Sequence, residues 1–162
     1  MKTLLLVRHA KSSWDSEAST DEERPLNGRG KHDAPMMAGR LLKNNVSIDL
    51  FISSPAKRAR KTAVFFMEEY DRKEKELVIM PELYEASAKN FSQIVSLLND
   101  KFDTIAIFSH NPGITDFANR LTEVKIDTLP TSSVFAVRSD VKSWSEFMDG
   151  KRDFWFFDYP KK

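Results

Sequence analysis

The chain has no cysteine in its 162 residues, which excludes disulfides, thiolate nucleophiles and cysteine-based zinc sites and leaves any catalysis to other groups. Long apolar runs are missing as well. Nothing approaches the roughly 20 consecutive apolar residues that span a bilayer. The first apolar stretch, Leu4 to Val7, ends at Arg8, short of the about 7 to 15 residues of a secretory core. No membrane role is expected, and the cytoplasm is the expected compartment. Charge of one sign is absent too: 25 Lys and Arg stand against 24 Asp and Glu, a formal net charge of +1. That balance gives no bulk attraction to nucleic acid, so any preference for anions has to come from locally clustered arginines. With only five glycines there is no phosphate-cradling glycine loop. There is also no His-Glu-x-x-His helix and no carboxylate cluster to suggest a metal.

What is present fits a soluble globular protein, 41% apolar and 30% charged, and its length suits a single domain over residues 1–162. Short β-rich apolar runs alternate with stretches of helical period, the pattern of an α/β protein with helices packed on a mostly parallel sheet. Strands are expected at Thr3 to Val7, Leu50 to Ile52, Leu77 to Met80, Thr104 to Phe108, Val134 to Val137 and Phe154 to Phe157. Helices announce themselves by apolar spacing: Ala34, Met37, Leu41; Ala59, Ala63, Phe66, Tyr70; Phe91, Ile94, Val95, Leu98; and Ile114, Phe117, Ala118, Leu121. Their aromatic residues read as core. Two helix starts look marked, one by Ser54 as N-cap with Pro55 in the first helical position, the other by Pro112. Lys11 to Asn27 reads as a long loop beside the first strand end, and Glu68 to Glu76 as a helix end with a solvated turn.

The chemistry is concentrated where two buried strands stop. Arg8 and His9 follow Leu4 to Val7, and Ser109, His110, Asn111, Pro112 and Gly113 follow Ile105 to Phe108. In open α/β sheets the ligand crevice lies outside the carboxyl ends of the strands. A lone histidine there serves local hydrogen bonding more often than catalysis, but two in matching contexts, one beside an arginine, point to a shared site. A guanidinium offers rigid donors to phosphate oxygens, and a neutral imidazole nitrogen can attack phosphorus. Arg58, in the first turn after Ser54 and Pro55, adds a second cation near a helix N-terminus. Lys57, Arg60 and Lys61 read as the solvated face of that helix. Arg24 either swings over the same pocket or pairs within its loop with Asp21, Glu22 or Glu23. His32, between Lys31 and Asp33, reads as a surface residue.

Four ordered motifs carry a resemblance. Arg8, His9, Ala10, Lys11, Ser12 with Trp14; Arg24, Pro25, Leu26 with Gly30; Ser54, Pro55, Arg58, Ala59, Thr62, Ala63; and Ser109 to Gly113 resemble the histidine phosphatase superfamily, in its SixA-type phosphohistidine phosphatase branch. Pro130, Thr131 and Ser132 resemble a further segment of that branch. The one departure is Ala10, where the wider superfamily usually has glycine. The resemblance implies a three-layer, phosphoglycerate-mutase-like fold, with Arg8, His9, Arg58 and His110 around phosphate; Arg24 stays a candidate phosphate ligand beside its alternative as a loop ion pair. His9 would be the nucleophile, Arg8, Arg58 and a protonated His110 would stabilise the transferring group, and water would hydrolyse the phosphoenzyme. No metal or other cofactor is implied. A general acid is expected after the third strand, with Glu85 the better candidate and Glu82 the alternative; either can equally be a loop-ordering carboxylate.

The element pattern leaves no room for a helical cap over the site, so an open pocket is expected. An open pocket suits a phosphorylated side chain on another protein, with phosphohistidine favoured by the resemblance. The rival is a small-molecule phosphomonoesterase or mutase of the same superfamily, which needs a working acid such as Glu85. A non-catalytic phosphate-binding module ranks third, because both histidines and both clamp arginines are retained. A phosphorylated protein or small phosphate ester is the expected partner, and a monomer the expected state.

Overall fold

The computed structural model describes residues 1–14, 18 and 20–161. Its strands are β1 (Lys2–Arg8), β2 (Leu50–Ser53), β3 (Val78–Ile79), β4 (Thr104–Ser109), β5 (Val134–Ser139) and β6 (Arg152–Asp158), hydrogen-bonded in the order β3-β2-β4-β1-β5-β6. Its α-helices are α1 (Gly28–Lys43), α2 (Lys57–Glu69), α3 (Ala88–Ser96) and α4 (Gly113–Leu121). The pairings β1 with β4, β4 with β2 and β2 with β3 are parallel, and only β5 runs against the other strands.

Both faces of the sheet are buried, and the two-residue period of a strand sorts its side chains between them. Leu4, Leu6, Ile105, Ile107, Phe135 and Val137 face α3 and α4. Leu5, Val7, Ala106, Phe108, Val134 and Ala136 face α1 and α2. The result is the expected three-layer α/β arrangement. Phe91 of α3 stacks on Phe117 of α4 with centroids 5.3 Å apart; each is fully buried, and truncating such a ring to alanine costs about 3–5 kcal/mol.

The chain leaves β1 through α1, builds β2 and β3 outward, and returns to insert β4 between β2 and β1. This reversal puts the carboxyl ends of β1 and β4 side by side, with Arg8 opposite Ser109 in the ladder, at the kind of switch point where α/β sheets open a crevice.

Several local expectations are corrected. β3 spans only Val78–Ile79, because β2 pairs with it at just two positions, and both residues are half exposed at the sheet edge. Helix α2 starts at Lys57 with Ala56 as its N-cap, two residues later than expected; the Ser54 hydroxyl accepts from the Ala56 N–H at 3.1 Å and contacts His110 instead of capping a helix. Pro112 is the N-cap of α4, which begins at Gly113. Leu98 lies past the end of α3 yet remains buried, and Tyr70 is the residue that ends α2. The loop from Lys11 to Asn27 carries a 3-10 turn at Asp21–Glu23 and a bridge between Ser12 and Leu26; its residues 15–17 and 19 lie outside the described ones.

Gly113 is the tightest junction between the site-bearing end of β4 and the segment before α3. A Cβ there would lie 1.8 Å from the Ala86 carbonyl oxygen, a backbone atom that cannot simply rotate away. Gly113→Ala is therefore expected to lower stability by about 1–3 kcal/mol, read as a reduced denaturation midpoint, and an unchanged midpoint would contradict the packing.

Candidate active site

Three neighbouring parallel strands deliver the site. At the end of β1, the His9 N–H donates to the Ser109 carbonyl at 3.1 Å, which fixes His9 beside the residue that precedes His110. The two imidazole centroids are 5.2 Å apart. From the end of β2, the Ser54 N–H donates to Phe108 at 3.1 Å, and the Ser54 hydroxyl is hydrogen-bonded to His110 Nε2 at 2.6 Å. Arg58 enters from the first turn of α2. Thr62, one turn on, donates to the Arg58 carbonyl at 2.7 Å and accepts from the Ala10 N–H at 2.8 Å, tying that helix to the segment after His9. Arg8, His9, Arg24, Arg58 and His110 line one cavity of ≈ 250 Å³, with Lys11, Asn111 and Thr131 also in its wall.

Within this cavity His9 has a defined tautomer. Its Nδ1 lies 2.8 Å from the Ala10 carbonyl, which can only accept, so Nδ1 carries the proton and Nε2 keeps its lone pair. Burial, with smaller contributions from His110, Arg58 and Arg8, pushes the His9 pKa down to about 3, although the Ala10 contact opposes the shift. His110 is pushed down to about 4 by burial and then by Arg58. With these shifts both histidines are neutral at pH 7, because a buried imidazole among arginines gains nothing by adding a charge.

The arginines are held by their ends. Arg8 donates through Nη1 to the Leu129 carbonyl at 2.8 Å, and burial lowers its pKa. Arg58, only 7% exposed, donates through Nη1 to the Asp21 carbonyl at 2.8 Å and through Nη2 to the Asp21 carboxylate at 3.0 Å. Arg24 does both things considered for it. It pairs with the same carboxylate at 2.9 Å, bonds to the Ser12 hydroxyl, and lies in the pocket wall with its guanidinium 3.6 Å from the centroid of the Trp14 ring. Among the described residues, six buried side-chain nitrogens or oxygens lack a hydrogen-bond partner, and four belong to this pocket: Nε of Arg8, Arg24 and Arg58, and Nδ1 of His110. Buried polar atoms are normally satisfied, so this concentration marks a place prepared for a polar guest.

Asp21 and Tyr84 are the components that sequence reasoning missed. Asp21 had surfaced only as a possible loop partner of Arg24. Its carboxylate accepts from Tyr84 Oη at 2.6 Å, and that bond, followed by Arg58, holds its pKa below the usual value. The same bond raises the Tyr84 phenol to about 12. Tyr84 also meets the His110 ring edge-on, with centroids 5.7 Å apart.

A second, larger cavity of ≈ 710 Å³ adjoins the first and shares Asp21, Arg58, His110 and Asn111 with it. Glu85 lines this cavity, whereas Glu82 is exposed and lines neither. His32 stays on the surface beside Asp33, away from both cavities. Among the described residues no group of three His, Asp or Glu side chains comes close enough to hold a metal ion, and no helix is long and apolar enough to cross a membrane.

Sheet, crevice and two-histidine pocket define an α/β protein with an arginine-lined cavity at its strand ends. Residues 4–113 match the family model described as "Histidine phosphatase superfamily (branch 1)", and the chain belongs to that superfamily. An uncharacterised chloroplastic protein of Arabidopsis thaliana is 29% identical over 153 residues, which is 90% of this chain and 70% of that protein. The solved structure of the protein histidine phosphatase SixA complexed with tungstate matches with a TM-score of 0.83 at 22% identity, covering 98% of this chain and 97% of that one. A mycobacterial glucosyl-3-phosphoglycerate phosphatase in complex with VO3 gives 0.76 at 13% identity, covering 99% and 100%. At these identities the two structures establish a shared fold, the phosphoglycerate-mutase-like one, and membership of the superfamily supports phosphatase activity.

The depressed histidines make stability acid-sensitive. As pH falls from 6.5 towards about 4, the unfolded chain takes up protons that the folded site refuses, so a contribution complete above pH 6.5 is lost on acidification. Chemical-denaturation midpoints measured at pH 7.5 and 5.0 are expected to drop further for the natural chain than for the His9→Gln/His110→Gln double variant. Equal drops would contradict a buried neutral pair.

Proposed function

We infer that the protein is a metal-independent phosphatase working through a phosphohistidine on His9, and that its substrate is a phosphorylated side chain of a protein, phosphohistidine above all. The observation that carries this reading is the convergence of two neutral imidazoles and three guanidiniums on one cavity. The Ala10 carbonyl holds His9 in the tautomer whose Nε2 is free to attack phosphorus. As the Nε2–P bond forms, the bond from phosphorus to the leaving atom breaks and its electron pair departs with the leaving group. Arg8, Arg58 and Arg24 then face the charge spread over the equatorial oxygens, pre-aligned by their partners in Leu129 and Asp21 and so needing little reorganisation. A bound phosphate dianion raises the proton affinity of the neighbouring His110, which lets it enter neutral, gain a proton with substrate present, and donate that proton to a departing imidazole nitrogen. Water then attacks the phosphohistidine, and the N–P bond breaks to release inorganic phosphate. The related fold of SixA, a protein histidine phosphatase, supports phosphohistidine as substrate.

A second reading is a small-molecule phosphomonoesterase, the activity named for the mycobacterial neighbour. The placement of Glu85 in the wall of the adjoining cavity favours it, since an alkoxide leaving group needs a stronger acid than a nitrogen does.

His9→Ala is expected to lower turnover on the order of 10⁴-fold or more and to abolish an acid-labile, base-stable phosphoenzyme; persistent labelling would place the nucleophile elsewhere. Arg58→Ala is expected to cost about 10²- to 10³-fold in kcat. Chelation with EDTA leaves the rate unchanged under this mechanism. Glu85→Gln separates the two readings: hydrolysis of phosphohistidine persists while ester hydrolysis falls, and a parallel fall in both would assign Glu85 to the reaction in general.

A further inference from the structure

We propose that the larger cavity is the cleft for the leaving group and that it selects phosphorylated side chains lying in a basic stretch of polypeptide, a specificity that rests on the phosphatase reading above. In-line displacement requires the departing group to lie on the far side of phosphorus from the nucleophile. The ≈ 710 Å³ cavity meets the phosphate pocket at Arg58 and His110 but contains neither His9 nor Arg8 in its wall. It therefore continues the pocket past Arg58 and His110, and the residue proposed to attack does not border it. The shared wall also holds unmatched polarity: His110, 8% exposed, has an Nδ1 without a partner, and so does the Nε of Arg58.

The two cavities carry opposite charge. Among the described residues, the phosphate pocket is lined by Arg8, Lys11, Arg24 and Arg58 against a single carboxylate, Asp21. Beyond the shared wall the signs reverse: the larger cavity adds Glu85 and Asp116, and its only cation among the described residues, Arg58, is paired with Asp21 of the shared wall. Glu85 occupies the left-handed region, φ 56°, which a non-glycine residue adopts when its surroundings impose it. Asp116 stands exposed in the first turn of α4. A substrate that binds across both cavities meets attraction for its phosphate and repulsion for any second anion on its leaving group. Small phosphate esters that carry a carboxylate or another phosphate are disfavoured by this arrangement. A phosphorylated residue with lysine or arginine beside it is favoured, and the cleft is far larger than one side chain requires.

The test compares phosphohistidine peptides flanked on both sides by lysine with the same peptides flanked by glutamate, alongside a neutral aryl phosphate that reports the phosphoryl chemistry alone. Lysine-flanked peptides are expected to show about tenfold higher kcat/KM at low salt, the effect residing in KM and shrinking as ionic strength rises. Asp116→Lys is expected to reduce that preference at least threefold. Equal rates for the two peptides, or a preference for glutamate, with the aryl phosphate still hydrolysed, would overturn the specificity and leave the phosphatase reading intact. Failure to hydrolyse any of the three substrates would instead overturn the phosphatase reading, and the proposal with it.

Discussion

The parallel pairing of β1 with β4 is the constraint on which the site hangs. Arg8 lies opposite Ser109 and His9 bonds to the Ser109 carbonyl, so two histidines a hundred residues apart in the chain become neighbours through backbone geometry. Register in a sheet with both faces buried is held firmly, because a slip of one residue would exchange Leu4 and Leu6 with Leu5 and Val7 between the two cores. The geometry of the pocket is therefore fixed by the same burial that stabilises the domain. Side-chain bonds from Ser54 and Thr62 then bring the end of β2 and the start of α2 into the same frame.

Gathering arginines around two buried imidazoles concentrates positive charge, and the chain answers it in two ways. The histidines stay neutral, so each imidazole keeps a lone pair and adds no further positive charge. Asp21 supplies one carboxylate that grips both Arg58 and Arg24, with Tyr84 donating to the same oxygen that Arg58 engages. Asp21 thereby separates the basic pocket from the acidic cleft and belongs to both walls. Several buried polar nitrogens of the pocket nonetheless remain unmatched, the Nε atoms of Arg8, Arg24 and Arg58 among them.

Most of the fold was legible because its signals are local. Uninterrupted apolar runs in Leu4 to Val7 and Ile105 to Phe108, and helical spacing in Ala34, Met37 and Leu41, report burial directly. The strand ends marked Arg8, His9 and His110 for the same reason. β3 was overestimated because Leu77 to Met80 has strand-like composition while its length is set by how far β2 extends beside it. Ser54 looked like a cap because serine before proline usually is one, and only the fold reveals that His110 competes for its hydroxyl. Asp21 and Tyr84 come together across 63 residues of sequence, a contact without periodicity or motif. The neutrality of His110 depends on burial and on Arg58, neither of which a strand-end position discloses.

One feature of the pocket rim has an optical consequence. Trp14 is 77% exposed and lies flat against the Arg24 guanidinium, whereas Trp144 is fully buried beneath the opposite face of the sheet and Trp155 is stacked on Arg138. Of the three indoles, only that of Trp14 borders the pocket among the described residues. The chain thus carries an intrinsic fluorophore at the threshold of the pocket, in contact with one of the cations of its wall, while the other two stand elsewhere in the fold.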